Sequence, residues 1–342
     1  MDTGPSRARL ADIASHAEVS EATVSRVLNG KPGVAEATRQ AVLISLDVLG
    51  YDRPSRLRRK SAGLVGLIVP ELLNPIFPAF AQVIETSLAR HGYTPVLCTQ
   101  TPGGVHEDEY VQMLLDRGVS GIIYISGLHA DTAQSPQRYV DQRERGLPVV
   151  FINGFCEGVD APFISTDDRL AAMQAVSHLV SLGHRRIGLA VGPDRFVPVQ
   201  RKVAGFRQAL ESTLGIDDTD ELIEHSFFSV EGGAAAATAL MSRGVTGIVA
   251  GSDMMALGAI RAARSAGLSV PEDVSVIGYD DSLLIAYTDP PLTSVRQGVA
   301  AMSEVAVQAL LAEIGGAPGP RTEFLFDPEL VVRRSTGPAP GA

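Results

Sequence analysis

From Leu64 to Asp280 the sequence alternates short apolar runs with longer segments of helical periodicity, and this alternation restricts the fold more than any other feature. The predicted strands are Leu64–Pro70, Thr94–Thr99, Gly121–Ser126, Pro148–Asn153, Phe163–Thr166, Arg186–Gly192, His225–Val230, Gly247–Ser252 and Val274–Asp280. Apolar strands separated by helices are typical of doubly wound parallel sheets whose strands are buried on both faces. Nine such strands are more than one compact sheet normally holds, so we expect an α/β core of two similar lobes.

The two predicted lobes divide residues 64–342 between them. We expect the N-lobe to comprise about 64–160 and 292–318, and the C-lobe about 161–291 and 319–335. Open α/β sheets bind ligands beyond the carboxyl ends of their strands. The cleft between the lobes is therefore the predicted ligand site.

The first 51 residues show a different sequence pattern, that of a small all-α domain. Leu10–Ala17 has the one-sided apolar spacing of a short amphipathic helix. Ser20 can cap a second helix that ends at Asn29-Gly30, and Glu36–Leu49 predicts a longer third helix. Two short helices joined by a tight turn and followed by a third form a helix-turn-helix pattern, which predicts a headpiece at residues 1–51. The alternative is a small helical hairpin that contacts no nucleic acid.

Charge is divided unevenly along the chain. Residues 1–60 carry ten basic and seven acidic side chains, whereas the rest of the chain carries 19 basic and 32 acidic ones. Phosphate repels an acidic surface, so any contact with nucleic acid must be confined to the N-terminal region. Five of the eight residues from Arg53 to Lys60 are basic, although solvated linkers also contain such runs. We interpret residues 52–63 as a hinge linker.

Composition indicates a globular protein of the cytoplasm. The chain has no apolar run of about 18 residues, which a membrane-spanning helix would need. Its first residues, MDTGPSRARLADI, lack the apolar core of a secretory signal. Cys98 and Cys156 are too few for a disulfide framework, and we interpret them as ordinary buried thiols in a reducing compartment.

The sequence lacks the short motifs of common enzyme classes. We find no G-x-G-x-x-G, no G-x-x-x-x-G-K-[ST] and no G-x-S-x-G. The seven histidines are scattered without metal-ligand spacing, so no metal and no cofactor are expected. Asp280-Asp281 at a strand end could act as acid and base, but paired carboxylates equally suit sugar hydroxyls or helix capping. We therefore expect a binding protein and not an enzyme.

The segment Thr23–Gly30, TVSRVLNG, resembles the DNA-binding headpiece of the lactose-repressor (LacI/GalR) family of bacterial regulators. Further segments similar to this family are Leu64–Phe77, Leu182–Pro193, Ser252–Ala263 and Val274–Gln297, so the resemblance covers essentially the whole chain. It implies a homodimer whose headpieces bind a palindromic operator and whose core resembles periplasmic sugar-binding proteins. The function it implies is sequence-specific transcriptional regulation, with repression of carbohydrate-use genes as the expected role.

The resemblance implies that the first two positions of the second helix and an arginine further along it read DNA bases. These positions are Glu21, Ala22 and Arg26. Arginine can fork onto guanine, alanine can touch a thymine methyl group, and glutamate can accept from cytosine or serve in the capping turn. The side chains expected to cap the helix or contact phosphates are Ser20, Thr23 and Asn29.

The family's linker folds as a hinge helix on the operator and inserts a leucine into the minor groove. The matching leucine is Leu57, flanked by Arg56 and Arg58. The linker departs from the family pattern because it is shorter and contains Pro54. Glu18 also replaces the usual glycine of the turn between the first two helices.

The resemblance also implies a set of effector-binding residues in the cleft. They are Asn74, Phe77, Asn153, Lys202, Phe228, Asp253 and Asp280. Amides, a carboxylate and an aromatic platform suit a polyhydroxylated ligand, because each buried hydroxyl requires a partner. Several of these residues have a structural alternative: Phe77 and Phe228 could be core, Asn74 could serve the turn before Pro75, and Asp253 could cap a helix.

We expect a mono- or oligosaccharide in the cleft to switch operator affinity, because a ligand that prefers one of two lobe arrangements shifts the equilibrium between them. The segments Gly66–Glu85 and Thr94–Val111 resemble actinobacterial regulators of maltose and α-glucan use, which favours a sugar. One alternative is the same class of regulator with a purine or another metabolite as its effector. Another is a sugar-binding protein without a regulatory role.

Overall fold

A computed structural model describes residues 10–29, 31, 33–49, 51, 62–100 and 106–341 of the chain. The chain divides into two compact units, Met1–Ala62 and Gly63–Ala342. Among the described residues, no helix combines the length and apolar character that crossing a membrane requires.

The N-terminal unit is a bundle of three helices, α1 (Leu10–His16), α2 (Glu21–Leu28) and α3 (Glu36–Val48), as the sequence predicts. Ser20 caps α2, because its hydroxyl oxygen accepts a hydrogen bond of 3.2 Å from the backbone N–H of Thr23. The helices share one small core, whose fully buried side chains are Ile13, Val24, Val27, Val42 and Leu46.

The larger unit consists of strands alternating with helices. Its strands are β1 (Gly63–Val69), β2 (Tyr93–Thr99), β3 (Gly121–Ile125), β4 (Val149–Ile152), β5 (Phe163–Thr166), β6 (Ile187–Val191), β7 (Ile223–His225), β8 (Gly247–Ala250), β9 (Ser275–Asp280), β10 (Thr293–Arg296), β11 (Glu323–Phe326) and β12 (Glu329–Val331). Its helices are α4 (Ile76–Arg90), α5 (Glu107–Asp116), α6 (Gln137–Glu144), α7 (Asp168–Ser181), α8 (Val197–Leu214), α9 (Val230–Ser242), α10 (Asp253–Ser265) and α11 (Val299–Ile314).

The strands form two six-stranded sheets, one in each lobe. The N-lobe sheet has the order β11-β5-β4-β3-β1-β2, and the C-lobe sheet has the order β12-β10-β9-β8-β6-β7. Among the described residues, all strand pairings are parallel except that of β10 with β12. Strands β3 and β6 are buried at every position, because helices cover both faces of each sheet. The predicted fold class, a helical headpiece plus two parallel-sheet lobes, is confirmed.

The predicted lobe boundaries are wrong in part. Strand β5, assigned to the C-lobe, pairs with β4 and β11 in the N-lobe sheet. Strand β10, assigned to the N-lobe, pairs with β9, and only β12 of the final two strands joins the C-lobe. The chain therefore crosses between the lobes after β5, after β10 and after β11. Periodicity identifies a short buried strand but carries no information about which distant strand it pairs with.

The predicted strand His225–Val230 is also misplaced. The strand is Ile223–His225, and α9 begins at Val230 with Ser229 as its N-cap, accepting from the backbone N–H of Gly232 at 3.0 Å. Two consecutive phenylalanines made the run resemble a strand, but they lie in the connecting turn.

Candidate functional site

A cavity of about 360 Å³ lies between the lobes, at the carboxyl ends of the strands of both sheets. The residues that line it follow β1, β2, β3, β4 and β5 in the N-lobe and β6, β7, β8 and β10 in the C-lobe, and two more, Tyr279 and Asp280, end β9. Six of the seven residues predicted to bind an effector line this cavity: Asn74, Phe77, Asn153, Lys202, Phe228 and Asp280. The two sheets thus bring together side chains that are far apart in the sequence.

Asp280 ends β9 and is the centre of a hydrogen-bonded group of side chains that joins both lobes. Its carboxylate accepts a bond of 2.7 Å from Gln297 Nε2. The carbonyl oxygen of Gln297 in turn accepts from Asn153 Nδ2 at 2.9 Å and from Thr166 Oγ1 at 3.1 Å. Asp280 is buried, and this burial, reinforced by the charge of Asp253, raises the pKa of Asp280 well above its usual value.

Asn74 serves the turn before α4 and also lines the cavity. Its Oδ1 atom accepts a hydrogen bond of 3.3 Å from the backbone N–H of Ile76, and this bond closes the turn before α4. Its side chain also hydrogen-bonds the carboxylate of Asp280, which partly offsets the effect of burial on the pKa of Asp280. The turn therefore fixes an amide that lines the cavity.

Lys202 is held by two neighbours that the sequence reasoning did not single out. Its ammonium group forms an ion pair with Asp168, and it lies 3.8 Å from the ring centroid of Tyr279. The Tyr279 hydroxyl donates to the same carboxylate at 2.7 Å. The charge of Lys202 is thus compensated within the protein. Asp168 lies in the first turn of α7, a position that capping also favours, so the sequence held no distinct signal for it.

Aromatic rings line the cavity from both lobes. Phe77 comes from the N-lobe, and Phe196 and Phe228 come from the C-lobe. The last two meet edge to face, with centroids 6.1 Å apart. A Cβ atom at Gly192 would come within 2.1 Å of the Phe228 ring, so a larger residue at this position would displace the ring from its place in the cavity wall. Phe196 lies in a loop before α8, where no periodic pattern marks it.

Glu107 is a buried carboxylate behind the wall of the cavity that the sequence reasoning also missed. It accepts from Gln100 Nε2 at 2.8 Å, from the backbone N–H of Leu128 at 3.2 Å and from the Tyr139 hydroxyl at 2.6 Å. Burial raises the pKa of Glu107 despite these three donors. Gln100 and Leu128 both line the cavity, so Glu107 fixes two parts of its wall.

Asp253 is the predicted effector residue that does not line the cavity. Its carboxylate accepts from Ser282 N at 2.7 Å, from Ser282 Oγ at 2.5 Å and from Ser294 Oγ at 2.6 Å, all within the C-lobe. Burial raises the pKa of Asp253 to about 6. The preceding residue, Ser252, caps α10 and lines the cavity instead. Asp253 is therefore placed as a structural residue, because the C-lobe already uses both of its oxygens.

The N-terminal unit presents the predicted base-reading residues on one helix. Glu21, Ala22 and Arg26 are all exposed on α2. The residues expected to cap α2 do so: Ser20 Oγ lies 2.9 Å from Thr23 Oγ1, and Asn29 Nδ2 donates to the carbonyl oxygen of Ser25 at 2.8 Å. The predicted hinge residues Arg56, Leu57 and Arg58 lie outside the described residues.

Comparison with known proteins matches both units to described families. Residues 9–54 match "Bacterial regulatory proteins, lacI family", and residues 176–336 match "Periplasmic binding protein-like domain". The HTH-type transcriptional regulator reg1 of Streptomyces lividans is 65% identical over 337 residues, which cover 97% of this chain and 98% of that protein. The HTH-type transcriptional regulator MalR of Streptomyces coelicolor is 65% identical over 336 residues, with the same coverage of both chains.

Solved structures agree with the sequence relatives. The complex of the transcriptional regulator CelR with cellobiose is 31% identical, has a TM-score of 0.71 and covers 96% of this chain and 100% of that chain. The lac repressor dimer bound to operator and an anti-inducer is 27% identical, has a TM-score of 0.70 and covers 97% and 99%. These relatives are transcriptional regulators and not enzymes. Because they match along nearly the whole chain, this protein belongs to the LacI family of bacterial transcriptional regulators.

Proposed function

We propose that this regulator represses carbohydrate-use genes and that a neutral mono- or oligosaccharide in the interlobe cavity switches its operator affinity. The observation that carries the proposal is the hydrogen-bonded set of Asp280, Gln297, Asn153 and Asn74, in which both lobes contribute polar groups to one small cavity. A sugar presents many hydroxyls, each of which loses free energy on burial unless it finds a donor or an acceptor.

The charge of the cavity favours a neutral ligand over an anionic one. Carboxylates of Glu71, Asp168 and Asp280 line it, and Lys202 is the one basic side chain among the described lining residues. Lys202 is already paired with Asp168. A phosphate or nucleotide group would therefore be desolvated without a new cationic partner. The aromatic rings of Phe77, Phe196 and Phe228 offer apolar faces for the C–H surface of a sugar ring.

Relatives with bound sugars support the same ligand class. The CelR structure contains cellobiose, and a LacI-family regulator from Enterococcus faecium, 30% identical with a TM-score of 0.71, contains ribose. The cavity volume of about 360 Å³ lies within the range of small-molecule sites.

The switch that we propose is a two-state equilibrium of the lobes. Residues of both lobes line the cavity, so a bound ligand contributes free energy to the lobe arrangement that lets it contact both sides at once. Linkage then requires that ligand binding and operator binding alter each other by the same factor. The protein acts in the cytoplasm, where its operator is accessible.

Thermal unfolding across a panel of small molecules tests the effector class. We expect maltose, cellobiose or ribose to raise the melting temperature, because a ligand at about 100 times its Kd stabilises the native state by about 2.7 kcal/mol. Such a shift amounts to several degrees for a protein of this size. Hypoxanthine and glucose 6-phosphate serve as purine and anionic comparisons. A shift with hypoxanthine and with none of a broad set of neutral sugars would contradict the carbohydrate assignment.

We also propose a homodimer that binds a palindromic operator. The turn after β9 exposes three large apolar side chains: Leu283 is 81% exposed, Leu284 68% and Tyr287 82%. Exposed apolar groups clustered in this way are typical of a protein interface.

Aspartate substitutions in this turn test the dimer. We expect Leu284→Asp and Tyr287→Asp to weaken self-association by about tenfold or more, because each places a charge in an apolar interface. Phe227→Asp is a matched control, since Phe227 is 77% exposed but lies in another turn of the C-lobe. Sedimentation equilibrium measures the effect, and a dimer of unchanged affinity in both turn variants would exclude this surface.

A further inference from the structure

The two lobes are connected at the mouth of the cavity by contacts that involve no crossover of the chain. Asp131 and Thr132 follow β3 in the N-lobe, whereas Arg195 and Phe196 follow β6 in the C-lobe. The backbones of Asp131 and Phe196 form an isolated antiparallel bridge. We call these four residues the interlobe strap.

Side chains reinforce the backbone bridge. Arg195 Nε donates to Asp131 Oδ2 at 2.9 Å, and the other oxygen of Asp131 accepts from the backbone N–H of Ala133 at 3.0 Å. The carbonyl oxygen of Arg195 accepts twice from Thr132, from its N–H and its hydroxyl, each at 2.8 Å. The Asp131 side chain is 6% exposed and that of Arg195 is 52% exposed, so the protein shields the carboxylate side of the ion pair and water reaches the guanidinium side.

The strap is positioned to oppose opening of the cleft. The three crossovers leave the sheets through β5, β10 and β11, which lie at or next to one edge of each sheet. Strands β3 and β6 lie further from that edge. If the lobes rotate about the crossovers, groups near them separate little and groups far from them separate more. Contacts at the ends of β3 and β6 must therefore break when the lobes separate.

The strap also belongs to the wall of the cavity. Phe196 lines the cavity and meets Phe228, and the Arg195 guanidinium lies 4.8 Å from the centroid of the Phe196 ring. On the N-lobe side, Ala130 lines the cavity directly before Asp131. Opening the strap would therefore move cavity walls of both lobes apart together.

We propose that the interlobe strap, the pairing of Asp131–Thr132 with Arg195–Phe196, acts as a latch. It holds the cavity mouth closed and has to release before a ligand can exchange. This function goes beyond ligand contact, because the latch acts between two protein segments. Its strength sets how often the closed protein opens. The Arg195–Asp131 ion pair is the part of the latch that side-chain substitution can remove without touching the backbone bridge.

The accessibility of a thiol inside the cavity measures opening directly. Ser252 lines the cavity and is 3% exposed, so Ser252→Cys places a thiol that a bulky disulfide reagent reaches only when the lobes separate. Cys156→Ser removes the partly accessible native thiol, whereas Cys98 is buried and its background rate is measured in the parent lacking Ser252→Cys. The experiment uses the full chain without any sugar, so its outcome is independent of which effector the protein binds.

Two substitutions by unbranched side chains, one neutral and one charged, separate the charge of Arg195 from its bulk. We expect Arg195→Met to accelerate labelling about three- to fivefold, as loss of an ion pair allows, and Arg195→Lys to stay near the parental rate. Arg207→Met is the matched control, because Arg207 is 53% exposed, as against 52% for Arg195, and pairs with Asp220 within the C-lobe. It should label at the parental rate. If Arg195→Met is labelled at the parental rate, or if Arg195→Lys accelerates labelling as much as Arg195→Met does, the proposal that the strap acts as a latch is wrong.

Discussion

Replacing Arg26 with alanine is expected to reduce strongly the preference of this regulator for its operator over random DNA. Arg26 is exposed on α2, the second helix of the helix-turn-helix unit, where its guanidinium can reach a base edge in the major groove. A bidentate contact between arginine and guanine contributes about 1–3 kcal/mol of discrimination. Because a dimer carries two such helices, we expect specific affinity to fall by about 30-fold or more, whereas affinity for random DNA falls little.

Fluorescence anisotropy with operator and scrambled duplexes at one salt concentration measures this loss. Arg39→Ala is the control, because this substitution removes the same charge from the same unit. Arg39 lies on α3, where it forms an ion pair with Glu36. We expect it to change affinity for both duplexes by a similar factor, as a phosphate contact would. A variant lacking Arg26 that still prefers its operator as strongly as the native protein would refute base reading by this residue.

The second large effect is expected at Asp280. Asp280→Asn should weaken sugar binding about 5- to 150-fold, because leaving a buried hydrogen-bonding group without its partner costs about 1–3 kcal/mol. The substitution should not destabilise the ligand-free protein at neutral pH. Burial raises the pKa of Asp280, so the folded state disfavours its ionised form, and Asn can still accept from Gln297. Its backbone φ of +113° is also tolerated better by asparagine than by most residues.

The neighbouring Asp281 provides a control with the opposite pattern. Its carboxylate accepts from Arg296 Nε at 2.7 Å and from an Arg333 amino group at 2.6 Å and does not line the cavity. Asp281→Asn should therefore lower the free energy of unfolding by about 1–3 kcal/mol, and the melting temperature with it. The sugar-induced shift of the melting temperature should stay intact. Both quantities come from the same thermal scans. If Asp280→Asn keeps the full sugar-induced shift, the cavity centred on Asp280 is not the sugar site.

Local sequence patterns determined the elements whose signals lie within a few residues. The cap at Ser20 and the buried stripe of Val24, Val27 and Leu28 predict α2, and the structure has that helix. Apolar runs predicted eight of the nine strands at or close to their observed positions. The exception is His225–Val230. Its two phenylalanines lie in a turn, but the local sequence does not distinguish exposed phenylalanines in a turn from buried ones in a strand.

For the cavity, the family resemblance gave residues that line it, and the tertiary structure supplied their partners. Asn74, Asn153 and Asp280 each end a strand or follow it closely, which is the local signal that a sheet edge produces. Gln297 directly follows β10, a strand that the sequence reasoning did not predict, and its amide connects Asn153 with Asp280 across the lobes. Asp253, predicted from its motif to bind an effector, instead accepts hydrogen bonds from two serines of its own lobe.

By itself, then, the sequence determined the fold class and the family, and its division of charge predicts that DNA contact is confined to the basic N-terminal region. Periodicity, capping and charge act over short stretches of chain, so they can be read directly. Only the tertiary structure decided which lobe each late strand joins, how Lys202 is neutralised by Asp168, and that Arg195 meets Asp131 across the cleft. Such pairings depend on where distant segments meet in space, and no local pattern specifies that meeting.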